Sequence, residues 1–229
     1  MASKVNNAAG KSYWEGIEAD VDGMLGGIPS QPGFQNVSKV DLQGSKNFLA
    51  KLGIGERNGL RVVDRALEGG AGIGRVTEGL LVKVASKVDI IEPTAKFTAA
   101  LEGKPGVGKI HNVGLEEWRP AVDDRYDLVW VQWCAGHLND EQLVSFLDRC
   151  KSVLTNPKDA VIVVKENTTT NGEDDFDEVD SSVTRGDAKF LSIFKQAGLK
   201  VAKAELQRGL PQTQALTLFP IKMYALKPV

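Results

Sequence analysis

Hydrophobic and polar positions follow two rhythms along this chain. Short apolar runs rich in β-branched residues occupy 61–67 (RVVDRAL), 88–91 (VDII), 109–112 (KIHN), 128–132 (LVWVQ) and 161–165 (VIVVK). The stretches between them have helical spacing, with helices predicted to begin near Gly74, Pro93 and Asp140. In the third, Leu143, Phe146, Leu147 and Cys150 recur on one face, and Asp140 is the expected N-cap. Strands alternating with helices in this way specify a parallel sheet with crossover helices. A further helix is predicted over 187–197, closed by Gly198, followed by strands over 200–207 and 221–226. Ahead of the first strand, 45–52 reads as a helix. The segment 21–27 (VDGMLGG) is too glycine-rich for regular structure and is expected to form a loop or cap. The chain shows no 20–50-residue repeat and no Pro- or Ser-rich linker, so a single domain spanning 1–229 is expected.

Composition narrows the partners. A length of 229 residues suits one substantial α/β core and is too short for two. A net charge of −2 offers no basic field to neutralise phosphates, so nucleic acid is not an expected partner. Cys134 and Cys150 make no CxxC or Cys/His spacing, so no metal site is expected, and reduced thiols point to an intracellular compartment. The amino terminus lacks the apolar core of a secretory signal, and no window approaches the ~18 apolar residues a membrane-spanning helix needs.

The strongest chemical signal is the run 68–75 (EGGAGIGR), placed directly after a predicted strand and opening a helix. Glycines at 70, 72 and 74 let the backbone bend sharply and approach a ligand. In open parallel sheets ligands bind beyond the carboxyl ends of the strands, where this turn lies. Glu92 ends the second predicted strand, where a carboxylate can accept both hydrogen bonds of a ribose diol. That acid would serve a nicotinamide dinucleotide or S-adenosylmethionine alike. The spacing G-x-G-x-G departs from the dinucleotide G-x-G-x-x-G, and Arg75 is placed to pair with an amino-acid carboxylate.

Landmarks from end to end resemble one family, the protein N-terminal Xaa-Pro-Lys methyltransferases. They are Tyr13-Trp14, VDGMLGG at 21–27, GAGIGR at 70–75, Gly114-Leu115, Gln132-Trp133 with Gly136-His137, KEN at 165–167 and VDSSV at 179–183. The segments DDFDEVDSSVTR and MYALKP look like those of fungal members. The resemblance implies a Rossmann-like class I methyltransferase fold, a seven-stranded, mainly parallel sheet with an N-terminal helical extension. Residues 1–57 would form a lid over a core at 58–229, with a substrate loop at about 166–185.

It further implies S-adenosyl-L-methionine as cofactor, held by Gly70, Gly72, Arg75, Glu92, Pro93, Thr94, Gly114, Leu115, Glu116 and Gln132. The substrate, a protein with an N-terminal Xaa-Pro-Lys, would meet Trp14, Leu25, Trp133, Asn167, Asp177, Asp180 and Ser182. Within that set Trp133 would pack on the proline, Asp177 would pair with the lysine, and Asn167 and Asp180 would hold the amine. Asp180 and His137 would act as general bases. The acidic stretch 173–180, which as a bare charge run reads as a solvated loop, would become a negative rim that attracts basic termini. Ribosomal proteins are the substrates the family suggests, and a monomer is expected, in the cytoplasm with the nucleus as an alternative.

Two features depart from the family pattern. Glu116 stands where some members carry glutamine. Asp64 and Arg65 place charge in a first strand that is normally apolar, with Glu68-Gly69 following, so a weakened strand is expected. Three other readings fit parts of the sequence: a small-molecule methyltransferase, a nicotinamide oxidoreductase, and a silent adaptor that binds amino termini without catalysis.

Overall fold

The structure, a computed structural model, describes residues 4–214 and 216–229. Its strands are β1 (Val63–Gly69), β2 (Ala85–Ile91), β3 (Val107–His111), β4 (Leu128–Gln132), β5 (Val161–Thr169), β6 (Asp175–Asp177), β7 (Ser182–Gly186), β8 (Leu199–Leu206) and β9 (Ile221–Pro228). The α-helices are α1 (Asn7–Gly16), α2 (Val21–Met24), α3 (Val37–Ala50), α4 (Val82–Val84), α5 (Ala95–Thr98), α6 (Asp140–Ser152) and α7 (Asp187–Gln196). The central order is β3-β2-β1-β4-β5, all parallel. β9 lies antiparallel on β5, and β8 antiparallel beyond it. This is the seven-stranded, mainly parallel sheet expected from the sequence. A hairpin of β6 and β7 branches from the end of β5, where Thr168 faces Arg185 and Thr169 faces Gly186.

Every residue of β4 is buried, as a central parallel strand covered on both faces requires. Val129 and Val131 point into one apolar cluster with Phe146 and Leu147 of α6 and Phe190 and Phe194 of α7. Leu128 and Trp130 point into the other, with Phe48 and Leu49 of α3 and Leu80 and Leu81 of the helix after the glycine turn. The register brings Gly69, Ile91 and Val131 into line, so the glycine turn, Glu92 and Gln132 emerge side by side at one sheet edge.

Several expectations shift. β1 begins at Val63 rather than 61, because Arg61 and Val62 are exposed and Arg61 instead bridges to Ile54, and it runs on to Gly69, which pairs with Ile91 and Val131. Its charges do not weaken it. Asp64 is exposed, while Arg65 pairs with buried Asp89, approaches Asp124 and lies over the Tyr126 ring. The Asp127 carboxylate also accepts the Asp64 and Arg65 backbone N–H groups at 3.0 and 3.1 Å. The helix after Gly74 is π-helical over Thr77–Leu81 before α4, and α5 is a single turn continued as 3-10 helix.

The N-cap of α6 is Asn139, not Asp140. Asn139 and Gln142 form a reciprocal capping box, which frees Asp140 to pair with Arg185 and Lys189. The helix predicted over 45–52 begins eight residues earlier, at Val37. Glycine content at 21–27 does not prevent a helix, since Asp20 caps the one-turn α2 by accepting the Gly23 N–H at 2.7 Å. Finally, β5 extends through Glu166 and Asn167, and β6 lies within the predicted acidic loop. No helix among the described residues is long and apolar enough to cross a membrane.

Candidate active site

Two cavities, of about 440 and 430 Å³, open at the carboxyl edge of the sheet and share a wall of Trp14, Met24, Trp133 and His137. The first is lined by nine of the ten expected cofactor residues: Gly70, Gly72, Arg75, Glu92, Pro93, Gly114, Leu115, Glu116 and Gln132. Thr94 is the exception. It is buried and does not line the cavity; its N–H donates to Glu92 Oε1 at 2.9 Å, so it acts behind the acid.

Gly70 has φ 68°, and a Cβ there would stand 2.4 Å from that of Cys134, so the bend admits only glycine. Gly72 donates its N–H to Glu92 Oε2 at 2.9 Å, tying the bend to the end of β2. Each Glu92 oxygen thus accepts one N–H and keeps a further lone pair free to accept, the capacity a ribose diol would need. Burial raises the Glu92 pKa, and these backbone bonds oppose the rise. Phe97, Leu115 and Val76 add apolar walls, and half-buried Glu116 also lines the cavity. Burial raises the Glu116 pKa and the adjacent Glu117 charge adds to it. A polar cradle, a diol acceptor and an apolar slot together fit S-adenosylmethionine. Among the described residues no group of His, Cys, Asp or Glu is arranged to hold a metal ion.

Behind this cradle lies a buried polar network that sequence reasoning missed. Asp41 of α3 is 0% exposed and pairs with Arg75 at 2.8 Å and Lys165 at 2.5 Å. Gln132 donates to both Asp41 oxygens at 3.0 Å and accepts from the Trp130 indole at 3.1 Å. Glu68, expected near the turn only as part of its motif, is buried against Thr77 and its carboxyl is pushed up to about 8 by desolvation.

The second cavity gathers Leu25, Asn167, Asp180 and Ser182 together with Trp14, Trp133 and His137. Asp177 does not line it: its carboxylate caps the Val179 N–H at 2.8 Å on the exposed hairpin turn. Asp180 accepts the Ser182 N–H at 3.0 Å. Sequence reasoning missed Ile28 and the stretch 216–219, which form the apolar side; that stretch has no periodicity to mark it.

Trp133 follows β4 with φ 54°, a left-handed conformation costly for a large side chain. Glu166 holds that turn by accepting the Cys134 and Ala135 N–H groups at 2.9 and 2.8 Å, and desolvation pushes its carboxyl up to about 7. Among the described residues the buried Trp133 indole N–H has no hydrogen-bond partner, nor does His137 Nδ1. His137 sits on a 3-10 turn, Ala135–His137, and its Nε2 accepts the Trp14 indole N–H at 3.0 Å. Burial lowers the His137 pKa, while the Asp180 charge opposes that. Helix α1 is clamped over these groups, with Asn7 donating to the His137 carbonyl at 2.8 Å and the Asn6 N–H donating to Ser181 Oγ at 2.9 Å.

Sheet order and cradle together are those of a class I methyltransferase that uses S-adenosylmethionine. The family model described as AdoMet dependent proline di-methyltransferase matches residues 2–227. An α N-terminal protein methyltransferase 1 from Schizosaccharomyces pombe is 44% identical, covering 94% of this chain and 93% of the relative. An N-terminal Xaa-Pro-Lys N-methyltransferase 1 from Xenopus tropicalis is 39% identical over 88% of each chain. A solved S-adenosylmethionine-dependent methyltransferase from Leishmania major superposes with a TM-score of 0.82 at 35% identity, covering 96% of this chain and 82% of that one. The chain therefore belongs to the family of α-N-terminal protein methyltransferases. It is a transferase, and S-adenosylmethionine is its methyl source.

Proposed function

We propose that this enzyme methylates the α-amino group of proteins beginning Xaa-Pro-Lys, with the methyl donor in the first cavity and the substrate terminus in the second. The observation that carries this reading is the shared wall of Trp14, Met24, Trp133 and His137, which lets two ligands meet at one point.

Bound in the cradle, S-adenosylmethionine would supply an electrophilic methyl group on its sulfonium, and a neutral amine attacking that carbon in line would form the N–C bond as the S–C bond breaks and S-adenosylhomocysteine leaves. The protein's own work is recruitment, orientation and proton removal. An α-amino group has a pKa of about 7.7–8.0, so roughly a tenth to a fifth is neutral at pH 7, and deprotonation costs only about 1 kcal/mol. Orientation is therefore the larger contribution. Trp133 offers an aromatic surface to the proline ring, whose fixed backbone leaves little entropy to lose.

Asn167 and Asp180 hold the amine, and the exposed acids around Asp177 attract the lysine and steer encounter. Asp180 takes the amine proton. His137 is the second base, and its Nε2 becomes free when the Trp14 hydrogen bond opens. Its low pKa keeps it unprotonated at neutral pH. Two and three methylations follow from repeated cycles, with two as the limit when the first residue is itself proline. In the cell we assign it ribosomal protein substrates, a monomeric state, and the cytoplasm with the nucleus as an alternative. Residues 1–57 act as a lid within a single functional domain.

Synthetic peptides test the reading directly. Xaa-Pro-Lys peptides should gain two or three methyl groups by mass spectrometry, with little transfer when alanine replaces the proline. Equal transfer to both peptides would exclude the Trp133–proline assignment.

A further inference from the structure

The buried network around Asp41 has a charge balance that simple packing does not require. Asp41 is one carboxylate between two cations, Arg75 and Lys165, and all three sit at the junction of α3, the glycine-turn helix and β5. Lys165 is 0% exposed; its Nζ also donates to the Asp41 carbonyl at 3.1 Å, Ser45 Oγ at 2.9 Å and Gln207 Oε1 at 2.9 Å. Those contacts satisfy the ammonium within the protein. Arg75 is different: among the described residues, its side-chain polar contacts beyond Asp41 are a long 3.4 Å one to Ser38 and the Trp133 ring 5.3 Å away, and it lines the first cavity. Gln132, which also lines that cavity, gives its amide N–H to Asp41 alone.

One anion thus fixes the rotamers of two cavity-lining side chains, while the surplus positive charge is left on the side that faces the cavity. We propose that Asp41, from the N-terminal extension, is a positioning residue that presets Arg75 and Gln132 for the carboxylate-bearing end of the methyl donor. Holding both side chains before binding removes the ordering cost that the ligand would otherwise meet. This inference rests on the donor occupying the first cavity. It also explains how an extension outside the sheet acts on a site built at the sheet's edge.

The test is calorimetric titration with S-adenosylhomocysteine, which reports affinity without turnover. Asp41→Asn alone strands the Lys165 charge in the core and threatens folding. Two variants avoid this: Asp41→Asn/Lys165→Met, which removes the buried pair together, and Asp41→Glu, which keeps the charge but displaces its oxygens. Both are expected to unfold cooperatively near the wild-type midpoint. Their donor Kd should rise about ten- to a hundredfold, by analogy with the loss seen when the group supporting a metal ligand is removed.

Peptide affinity without donor should stay near wild type. A folded variant of either kind that binds S-adenosylhomocysteine as tightly as wild type would overturn the proposal. Loss of cooperative folding in both would overturn it too, by assigning Asp41 to stability. Arg75→Ala separates the underlying assumption: if that variant binds as wild type, the placement of the donor is what fails.

Discussion

At Trp133 the backbone accepts a left-handed conformation, φ 54°, that no local sequence preference favours. The cost is of order 1–3 kcal/mol, and Glu166 offsets part of it by gathering the N–H groups of the two residues that follow. Trp133→Ala should therefore weaken peptide binding about thirtyfold, as loss of an interface anchor worth ~2 kcal/mol does, with a much smaller change in donor Kd; fluorescence titration of both ligands checks this. Asp180→Asn should lower kcat by about 10²-fold or more while leaving donor affinity near wild type in the same titrations. Equal losses in both would remove Asp180 from the role of base. The acid side of the pH profile is a further test at this scale. Because burial lowers the His137 pKa, the imidazole is already neutral where the substrate amine titrates, near pH 7.7–8.0. The fall in kcat/KM below that range belongs to the amine, and its position should be the same in His137→Asn. A limb that moves on that substitution would assign it to the imidazole.

Among the elements, α1 contributes one buried residue, Gly10, yet makes the contacts that place His137. A Cβ on Gly10 would lie 3.1 Å from the Asp180 carbonyl and 3.2 Å from His137 Nδ1. Gly10→Val should lift the helix off these groups and cut kcat/KM by on the order of ten- to a hundredfold, with the thermal midpoint almost unchanged. A large drop in midpoint would instead make α1 part of the core. The parallel sheet was legible in the sequence because its strands are apolar runs set between helical periods, and the cradle because glycines at 70, 72 and 74 have few other uses. Asp41 was not legible: a lone aspartate in a helix looks like a solvated side chain until the fold brings Arg75, Gln132 and Lys165 to it. Nor was the strand within 173–180, since its pairing with β7 is set by the branch from β5 rather than by its own charged residues. The departure at Arg65 reads as a weakness for the same reason, because its partners Asp89, Asp124 and Tyr126 are far along the chain, whereas the Asp64 side chain is simply exposed.

Across the whole molecule, buried acids shape how stability depends on pH. Glu68 and Glu166 are pushed up from 4.5 to about 8 and about 7. Between pH 4.5 and 8 the unfolded chain releases protons that the folded one keeps, so these groups make stability fall as pH rises through that window. Asp41, Asp140 and Asp187 are held below their ordinary value by cationic partners, so their contribution is present above about pH 3.8 and is lost as pH falls below it. Urea unfolding should accordingly show a maximum near pH 5, and Glu68→Gln should flatten the decline above it by a few kcal/mol, at about 1.4 kcal/mol per pKa unit. An unchanged slope would contradict the assignment of Glu68 as a neutral group in the folded protein. The same architecture brings two cavities to one aromatic wall, and everything proposed for function depends on that meeting. The most direct measurement is fragment-ion mass spectrometry of an Xaa-Pro-Lys peptide after incubation with the enzyme and S-adenosylmethionine. The expected result is methyl groups on the α-nitrogen alone and none on a copy whose terminus is acetylated. Methylation of the lysine side chain, or transfer to the acetylated peptide, would contradict the account.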